Sequence, residues 1–292
     1  MTPPPHRIRR PGLRSGLVLW ALVSNLVALA ACGSIKLTNI PATSPPARPP
    51  GATLTTTQPN ATGLKPSPAS TSPATPDKFT VVLDPGHNGA NASHPTEINR
   101  PVPNGRGSTK ACNTTGTSTA ADYPEHAFNW DVALQVRDAL TARGVQVVLT
   151  RPDNTGVGPC VNDRATIANR TGADAMVSIH ADGATRSGHG FHVAYSDPPL
   201  NASQGPSSVA LATALATALR GEGFTPANYK GADGLDPRSD LAGLNHARIP
   251  AALVECANMR NPQEAALVST PDGRTRYATA IADGIMAWLT SQ

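Results

Sequence analysis

Three features that would each suggest a different class of protein are missing from this 292-residue sequence. The formal charge of +4 comes from four arginines within residues 1–31, so the chain from Cys32 onward is formally neutral. It therefore lacks the basic surface expected of a nucleic-acid-binding protein. No apolar run is long enough to span a bilayer, which takes about 20 residues, because residues 17–31 are interrupted by Ser24 and Asn25. No internal period is found, which argues against a repeat array.

The N-terminal segment, residues 1–31, has the composition of an export signal. Its arginines precede a short apolar stretch that ends in small residues. The stretch Leu29-Ala30-Ala31-Cys32 also resembles a bacterial lipobox, in which the cysteine becomes the lipidated first residue. We therefore expect an exported protein of the periplasm or cell envelope, anchored through Cys32 to the outer face of the cytoplasmic membrane. The alternative is an ordinary signal cut near Ala31, with Cys32 incidental.

Residues 32–77 are predicted to be a disordered tether. Of the 45 positions from 33 to 77, 10 are proline and 14 are serine or threonine, and few are large and apolar. Such a composition cannot bury enough surface to offset the entropy lost on ordering the chain. The folded domain is therefore expected to cover residues 78–292, a length ample for one hydrophobic core.

The four cysteines of an exported chain suggest a disulfide. With Cys32 assigned to the lipid, Cys112 and Cys160 both lie in polar loop sequence, and Cys256 lies in an apolar strand. The simplest allocation is one bridge, Cys112–Cys160, and one buried thiol. A Cys256 nucleophile paired with a histidine is a weaker alternative, because a cysteine in an apolar strand tends to be inert.

Alternating strands and helices predict the fold. The predicted strands are 79–83, 145–149, 175–179, 241–245 and 251–254, and the predicted helices begin near residues 125, 162 and 207, with a last one placing Tyr277, Ile281, Ile285 and Trp288 inward. The polar stretch 88–124 shows no helical period and is expected to be a long loop. This order indicates an α/β fold: a single three-layer domain with a mainly parallel central sheet flanked by helices.

Four ionisable residues are expected to meet at the carboxyl edge of this sheet, where sites form in such folds. His87, His180 and Glu255 each follow a predicted strand by one to four residues, and Glu125 opens the helix after the long loop. Two imidazoles and a carboxylate form a common zinc site for hydrolysis, with water in the fourth position, and a second carboxylate can act as the base. Singly, each residue has another explanation: a turn histidine, a helix N-terminal carboxylate, or a buried Glu255 that needs a partner.

Several stretches together resemble one family. They are "VVLDPGHNG", "PEHAFN", "NDRATIANRTGADAMVSIHADG" and "RSDLAGLNHARIPAALVECANMRNPQE". In this order, over residues 79–288, they resemble the zinc-dependent N-acetylmuramoyl-L-alanine amidases of bacterial cell walls. The resemblance implies one Zn²⁺ per chain, with His87, Glu125 and His180 as its ligands and Glu255 as the catalytic glutamate.

The same resemblance implies the substrate, peptidoglycan or its muropeptide fragments, cleaved at the amide between N-acetylmuramic acid and L-alanine. Arg238, a basic position before "DLAGL", is a candidate for gripping stem-peptide carboxylates, with a solvated loop arginine as the alternative. Cys256-Ala257 stand where the family often has Gly-Phe, which bears on the shape of the pocket. No occluding regulatory helix is expected in the loop 88–124.

Two other function classes remain open at this point. A zinc carboxypeptidase or deacetylase could use the same set of residues on another amide of the wall. A wall-binding module without catalysis would be expected to have lost a ligand or the base, whereas all four residues are present. No nucleic-acid partner is expected, and the protein is expected to be a monomer.

Overall fold

The structure, a computed structural model, describes residues 79–292. The predicted export signal 1–31, the lipidation site Cys32 and the tether 32–77 lie outside the described residues, so their boundaries stay predictions. The described residues fall within one compact unit. None of the helices in this part of the chain is long and apolar enough to cross a bilayer.

The described elements alternate between strands and helices. In chain order they are β1 (Phe79–Pro85), α1 (Pro95–Ile98), β2 (Pro101–Pro103), β3 (Thr109–Ala111), α2 (Glu125–Thr141), β4 (Val145–Leu149), α3 (Val161–Thr171), β5 (Ala175–Asp182), β6 (His192–Ser196), α4 (Pro206–Gly221), β7 (Leu235–Arg238), α5 (Ala242–His246), β8 (Ala251–Asn258), α6 (Pro262–Val268) and α7 (Pro271–Leu289).

Six strands form the central sheet in the order β4-β1-β5-β8-β6-β7, and β2 and β3 pair separately as a hairpin. Strands β4, β1, β5 and β8 run parallel to one another. Strand β6 is antiparallel to β8 and parallel to β7. The predicted mainly parallel sheet is confirmed, and its four parallel strands bring their carboxyl ends to one edge.

Helices cover both faces of the sheet, as the three-layer prediction requires. Helices α2, α4 and α7 pack on one face through aliphatic and aromatic side chains. The four inward positions predicted on the last helix, Tyr277, Ile281, Ile285 and Trp288, are all buried there. The short helices α3 and α5 pack together on the other face, over Val82, Met176 and Ala251. This second layer is smaller, and it leaves the carboxyl-terminal part of that sheet face uncovered, where a site can form.

Two predicted segments differ in the structure. The stretch 88–124 is not structureless, because it contains α1 and the β2–β3 hairpin. The predicted strand 241–245 is instead helix α5, with Ala242 and Leu244 buried. A short apolar run fits either a strand or a buried helix, and periodicity alone cannot separate the two.

Strand lengths near the predicted site were also underestimated. Strand β5 continues to Asp182 and β8 to Asn258, so His180 and Glu255 lie within these strands and pair in register. Strands β6 and β7, at the end of the sheet next to β8, were not predicted. Helix α3 begins at Val161, within one residue of the predicted start, and Gly172 ends it in the left-handed conformation.

The predicted disulfide between Cys112 and Cys160 is present. Both cysteines are buried in a small cluster with Val102 of the hairpin, and Val161 packs against them. The bridge joins the end of β3 to the residue before α3, where the amide of Val161 also donates to the Cys112 carbonyl at 2.7 Å. It therefore ties the hairpin to the helix that carries Arg164.

Candidate active site

A cavity of about 700 Å³ opens at the carboxyl edge of the parallel strands. Its lining includes all four residues predicted to meet there, His87, Glu125, His180 and Glu255. They come from four separate elements: the turn after β1, the start of α2, and strands β5 and β8. The predicted convergence is therefore observed.

The turn after β1 brings His87 to the cavity. The amide of Gly86 donates to the carbonyl of Ile179 at 3.0 Å, and His87 adopts a positive φ of 59°. Such a backbone conformation is uncommon for a residue other than glycine and persists where surrounding contacts fix it. Gly86 itself is required by close approach, since a Cβ there would lie 2.1 Å from Cε1 of His180.

Two buried arginines fix this turn through its carbonyl groups. Arg164 donates to the carbonyls of Pro85 at 2.8 Å and His87 at 2.9 Å, and Arg151 also donates to Pro85, at 2.9 Å. Arg164 in addition forms an ion pair with Asp84 at 2.7 Å. Hydrogen bonds from a guanidinium are charge-assisted, so the strained turn is held by strong donors.

The carboxylate of Asp84, the residue that opens the turn, has both oxygens paired. Thr150 and Arg164 donate to Oδ1 at 2.6 and 2.7 Å, and Ser178 donates to Oδ2 at 2.7 Å. Burial alone would raise the pKa of Asp84, but the charge of Arg164 and these hydrogen bonds outweigh it, so the pKa lies below its ordinary value. Asp84 is thus a structural anion beneath the site.

Glu125, the first residue of α2, joins the two histidines. Its Oε1 lies 3.1 Å from Nε2 of His87 and 2.9 Å from Nδ1 of His180, and its Oε2 accepts from the amide of Thr117 at 2.9 Å. The three potential ligand atoms all lie within 4.8 Å of one another. Burial opposes ionisation of Glu125, yet the two histidines outweigh it and hold its pKa well below the ordinary value.

The hydrogen bonding of His87 indicates what this set is suited to hold. Its Nδ1 lies 3.0 Å from the carbonyl oxygen and 3.2 Å from the hydroxyl of Thr114, and the carbonyl favours the tautomer with the proton on Nδ1. In a neutral ring, Nε2 then presents a lone pair to the Oε1 of Glu125, another acceptor. Two acceptors at this distance need a cation or an added proton between them. A backbone carbonyl that orients the imidazole in this way is typical of a metal-binding histidine.

Glu255 lies beside this set without belonging to it. It is the register partner of His180 on the neighbouring strand, and it lines the cavity. Among the residues described, none forms a hydrogen bond to its buried Oε2. Burial, with the negative charges of Glu125 and Asp182, raises the pKa of Glu255 well above its ordinary value. A carboxyl group in this state is suited to exchanging a proton.

The family follows from comparison with known proteins. A family model described as N-acetylmuramoyl-L-alanine amidase matches residues 81–287. The chain belongs to the N-acetylmuramoyl-L-alanine amidase family. It is 49% identical over 226 residues to N-acetylmuramoyl-L-alanine amidase Rv3717 of Mycobacterium tuberculosis, covering 77% of this chain and 92% of that protein. The family predicted from the sequence motifs is thereby confirmed.

Solved structures of amidases share the fold. The N-acetylmuramyl-L-alanine amidase Ami1 of Mycobacterium smegmatis is 52% identical, with a TM-score of 0.72 and coverage of 74% of this chain and 99% of that one. Ami1 of Mycobacterium abscessus, in its apo form, is 51% identical, with a TM-score of 0.70 and coverage of 73% and 99%. The fold class predicted for this amidase family member is therefore confirmed as well.

Arg238, the predicted substrate-binding residue, is not among the residues that line the cavity. Its guanidinium forms two hydrogen bonds of 2.7 Å with Asp240 and one of 3.2 Å with Asp236. These carboxylates raise the pKa of Arg238 further above its ordinary value. Most N–H donors of Arg238 already bind Asp236 and Asp240. Direct binding of a substrate carboxylate by Arg238 therefore stays a prediction without structural support.

Besides the buried Arg164, two further cationic residues that line the cavity were missed by sequence reasoning. Lys110 comes from the β2–β3 hairpin, where its Nζ donates to the carbonyl of Asp240 at 2.8 Å. Arg260 follows β8 and is exposed. Arg260 could have been found as a charged residue just past a strand end, whereas Lys110 lay in a stretch that was read as a plain loop.

The cysteine alternative has no support at this site. Cys256 follows Glu255 in β8, and since successive strand residues face opposite sides of a sheet, it points into the main core. Burial, with the charges of Glu255 and Glu125, raises the pKa of the Cys256 thiol well above its ordinary value. Cys256 does not line the cavity, so its thiol is an inert group of the core.

Proposed function

We propose that this chain hydrolyses the amide bond between N-acetylmuramic acid and L-alanine in peptidoglycan or its muropeptide fragments. The observation that carries the proposal is the meeting of three potential ligand atoms within 4.8 Å, with Glu255 in register beside them in one cavity. The close relation to named amidases supports the choice of this amide.

We propose that His87, Glu125 and His180 hold one Zn²⁺. The two imidazoles and one carboxylate are ligand types that zinc prefers, and the two facing acceptors on His87 and Glu125 are satisfied by a cation. When bound, such an ion polarises the scissile carbonyl and lowers the pKa of water. The backbone amide of Thr117 and the carbonyl of Thr114 orient Glu125 and His87 for this purpose.

Glu255 is the proposed base. It takes one proton from the attacking water as the new carbon–oxygen bond forms, and it returns that proton to the nitrogen of L-alanine as the carbon–nitrogen bond breaks. The products are the lactyl carboxyl group and a free amino terminus on the stem peptide. Lys110 and Arg260, on the cavity wall, are the proposed contacts for the carboxylates of that peptide.

The cellular setting is proposed on sequence alone. The basic and apolar segment 1–31, the lipobox-like Cys32 and the Pro/Ser/Thr-rich residues 32–77 support an exported monomer, anchored by lipid to the outer face of the cytoplasmic membrane. Its work there would be cell-wall remodelling, turnover or daughter-cell separation. Membrane fractionation should show the parent chain in the membrane and a Cys32→Ser variant released.

Digestion of purified peptidoglycan with the zinc-loaded protein tests the chemistry. The expected product is a set of stem peptides with L-alanine as the new amino terminus, identified by mass spectrometry. Release of terminal amino acids or of acetate would instead indicate the carboxypeptidase or deacetylase alternative. Binding without any product would indicate a non-catalytic wall-binding module.

Elemental analysis tests the metal assignment separately. The parent protein should carry one zinc per chain, and His180→Ala should lose both the metal and the activity. His189→Ala, on an exposed loop, is a matched histidine control that should keep both. Stoichiometric zinc in the His180→Ala variant would contradict the ligand set.

A further inference from the structure

Glu255 has a second histidine beside it, on the side away from His180. In the sheet, Glu255 is the register partner of His180 on β5 and of His192 on β6. Residues directly opposite each other on paired strands project from the same face, with Cβ atoms about 5 Å apart. Glu255 therefore lies between two imidazoles, of which only His180 belongs to the proposed zinc site.

Three neighbouring side chains here each carry a buried polar atom that has no hydrogen bond of good geometry within the described part of the chain. The three atoms are Oε2 of Glu255, Nδ1 of His192 and the hydroxyl oxygen of Tyr229. The Tyr229 ring packs edge-on against His192, with ring centroids 6.0 Å apart. Burial, the nearby charges of Asp182 and Glu255, and a contact of the hydroxyl with Asp182 that falls short of hydrogen-bond geometry raise the pKa of Tyr229. Because an unpaired buried polar group destabilises the folded state, three neighbours of this kind indicate a shared partner.

The chemistry of the three atoms identifies that partner. Nε2 of His192 faces Asp236 at 3.7 Å, and Arg238 holds Asp236 in turn. With the ring proton directed at Asp236, Nδ1 of His192 is an acceptor, as is Oε2 of Glu255 in the ionised form that can act as a base. Tyr229 supplies a single O–H donor, so the three atoms cannot satisfy one another. A water molecule has two donors and can accept a hydrogen bond, which completes the set.

We propose that His192 and Tyr229 are positioning residues that hold Glu255 through one buried water. The water donates to Oε2 of Glu255 and to Nδ1 of His192, and it accepts from the hydroxyl of Tyr229. The other carboxylate oxygen of Glu255 then stays free to exchange the proton. This inference rests on the proposed role of Glu255 as the base. It also gives Arg238 an indirect task, since Arg238 and Asp236 orient His192.

Removal of one hydroxyl group tests the role of Tyr229. Tyr229→Phe should lower kcat about tenfold and leave KM and zinc content unchanged, because only the orientation of Glu255 is affected. Tyr195→Phe is the matched control, since Tyr195 packs against the core on the opposite face of β6. It should stay within about twofold of the parent. A Tyr229→Phe enzyme with unchanged kcat would overturn the proposal.

Two substitutions at His192 separate hydrogen bonding from packing. His192→Gln keeps a polar group that can donate and accept, whereas His192→Leu fills similar space without either ability. We expect kcat of the Gln variant to be about fivefold higher than that of the Leu variant, or more, with equal zinc content in both. Equal kcat values would show that His192 only fills space.

Two measurements test the water itself without any activity assay. A high-resolution crystal structure of the zinc-loaded protein should show one ordered water within hydrogen-bond distance of all three atoms. Tyr229→Phe should lower the thermal midpoint of unfolding, since a satisfied hydroxyl is lost. A dry site, or a variant more stable than the parent, would contradict the proposal. If the parent releases no stem peptide, the proposed function fails, while these two measurements still decide how Glu255 is held.

Discussion

Two carboxylates on the same face of the sheet, Asp84 and Glu255, have opposite surroundings. Asp84 is paired on both oxygens by Thr150, Arg164 and Ser178, and its pKa is lowered. Glu255 is half-buried, its inner oxygen has no hydrogen-bond partner among the described residues, and its pKa is raised. Both acids lie at the carboxyl end of a parallel strand. The difference shows that the number of fixed donors around each acid, and not its position on this edge, decides whether its pKa is lowered or raised.

The physical reason is the cost of burying a charge. A buried carboxylate that accepts several hydrogen bonds is stabilised as an anion, and it loses its tendency to take a proton. A carboxylate left with few donors keeps that tendency and contributes little to stability. The paired acid therefore helps Arg164 to hold the His87 turn in place, and the acid with fewer donors is available for the proposed reaction.

The largest expected effect is on the reaction, through Glu255→Gln. The amide keeps the size of the side chain but cannot accept the proton, so we expect turnover to fall by roughly 10²- to 10⁴-fold. Zinc content and thermal stability should be unchanged, because Glu255 is not in the ligand set. Stem-peptide release, metal content and thermal unfolding should be measured side by side. Loss of the metal in this variant would place Glu255 among the ligands instead.

The reverse result is expected for Asp84→Asn, which should affect stability first. The change leaves the buried Arg164 without its ion pair, and breaking one partner of such a pair costs about 3–5 kcal/mol. Asp138→Asn is the matched control, since Asp138 pairs with Arg137 on the exposed side of α2, where an ion pair is worth about 1 kcal/mol or less. Urea unfolding of the three proteins gives the comparison. Equal stability of the two variants would contradict the structural role of Asp84.

Low pH should destabilise the parent in the same way as the Asp84→Asn substitution does. Because the pKa of Asp84 is lowered in the folded state, its contribution is fully present above the ordinary value of 3.8 and is lost as the pH falls further, through the lowered value. The parent should therefore lose its stability advantage over Asp84→Asn as the pH drops below about 4. A gap that stays constant down to pH 2 would show that Asp84 does not titrate with unfolding.

The candidate site residues could be predicted from the sequence, whereas the residues that hold the His87 turn could not. His87, His180 and Glu255 were found because each follows an apolar run, and parallel strands bring their carboxyl ends to one edge. Arg151 and Arg164 were not predicted to hold the turn, because buried arginines are rare and nothing in the local sequence shows their partners, which lie 65 or more residues away.

The missed strands have a similar explanation. Strand β7 is four residues long and contains Pro237, which is tolerated at a sheet edge but argues against a strand when read from sequence. Strand β6 begins with His192, a polar residue whose burial depends on Tyr229 and Asp236 far along the chain. The positioning residues around Glu255 lie on or near these two strands, so they could not be predicted before the sheet order was known.

The disulfide helps to hold Arg164, the ion-pair partner of Asp84, in position. Cys160 precedes α3, and its carbonyl accepts from the amide of Arg164 at 3.1 Å, so the bridge helps to place the partner of Asp84. Closing a loop with a sequence separation of 48 is worth roughly 4 kcal/mol in the chain-entropy model. A Cys112→Ser, Cys160→Ser double variant should therefore unfold roughly 10 °C lower. Non-reducing peptide mapping should find the bridge in exported protein, and free thiols at both positions would refute it.

The smallest expected effect concerns substrate binding at the wall of the cavity that Glu255 lines. Lys110 lines the cavity, and its position is fixed by the hydrogen bond to the carbonyl of Asp240. Burial lowers its pKa, but Asp240 opposes that shift. Its ammonium group can still donate to a stem-peptide carboxylate.

Lys110→Ala should therefore raise KM for a muropeptide about three- to tenfold with little change in kcat, the pattern of a lost contact that is equal in the ground and transition states. Arg170→Ala, a cation on the exposed side of α3, is the control and should change neither constant. The same measurement with a muropeptide whose stem carboxylates are amidated sharpens the test, because the parent should then lose its advantage over Lys110→Ala. An equal KM for parent and variant on the free-carboxylate substrate would remove Lys110 from the binding site and leave Arg260 as the exposed cation on the cavity wall.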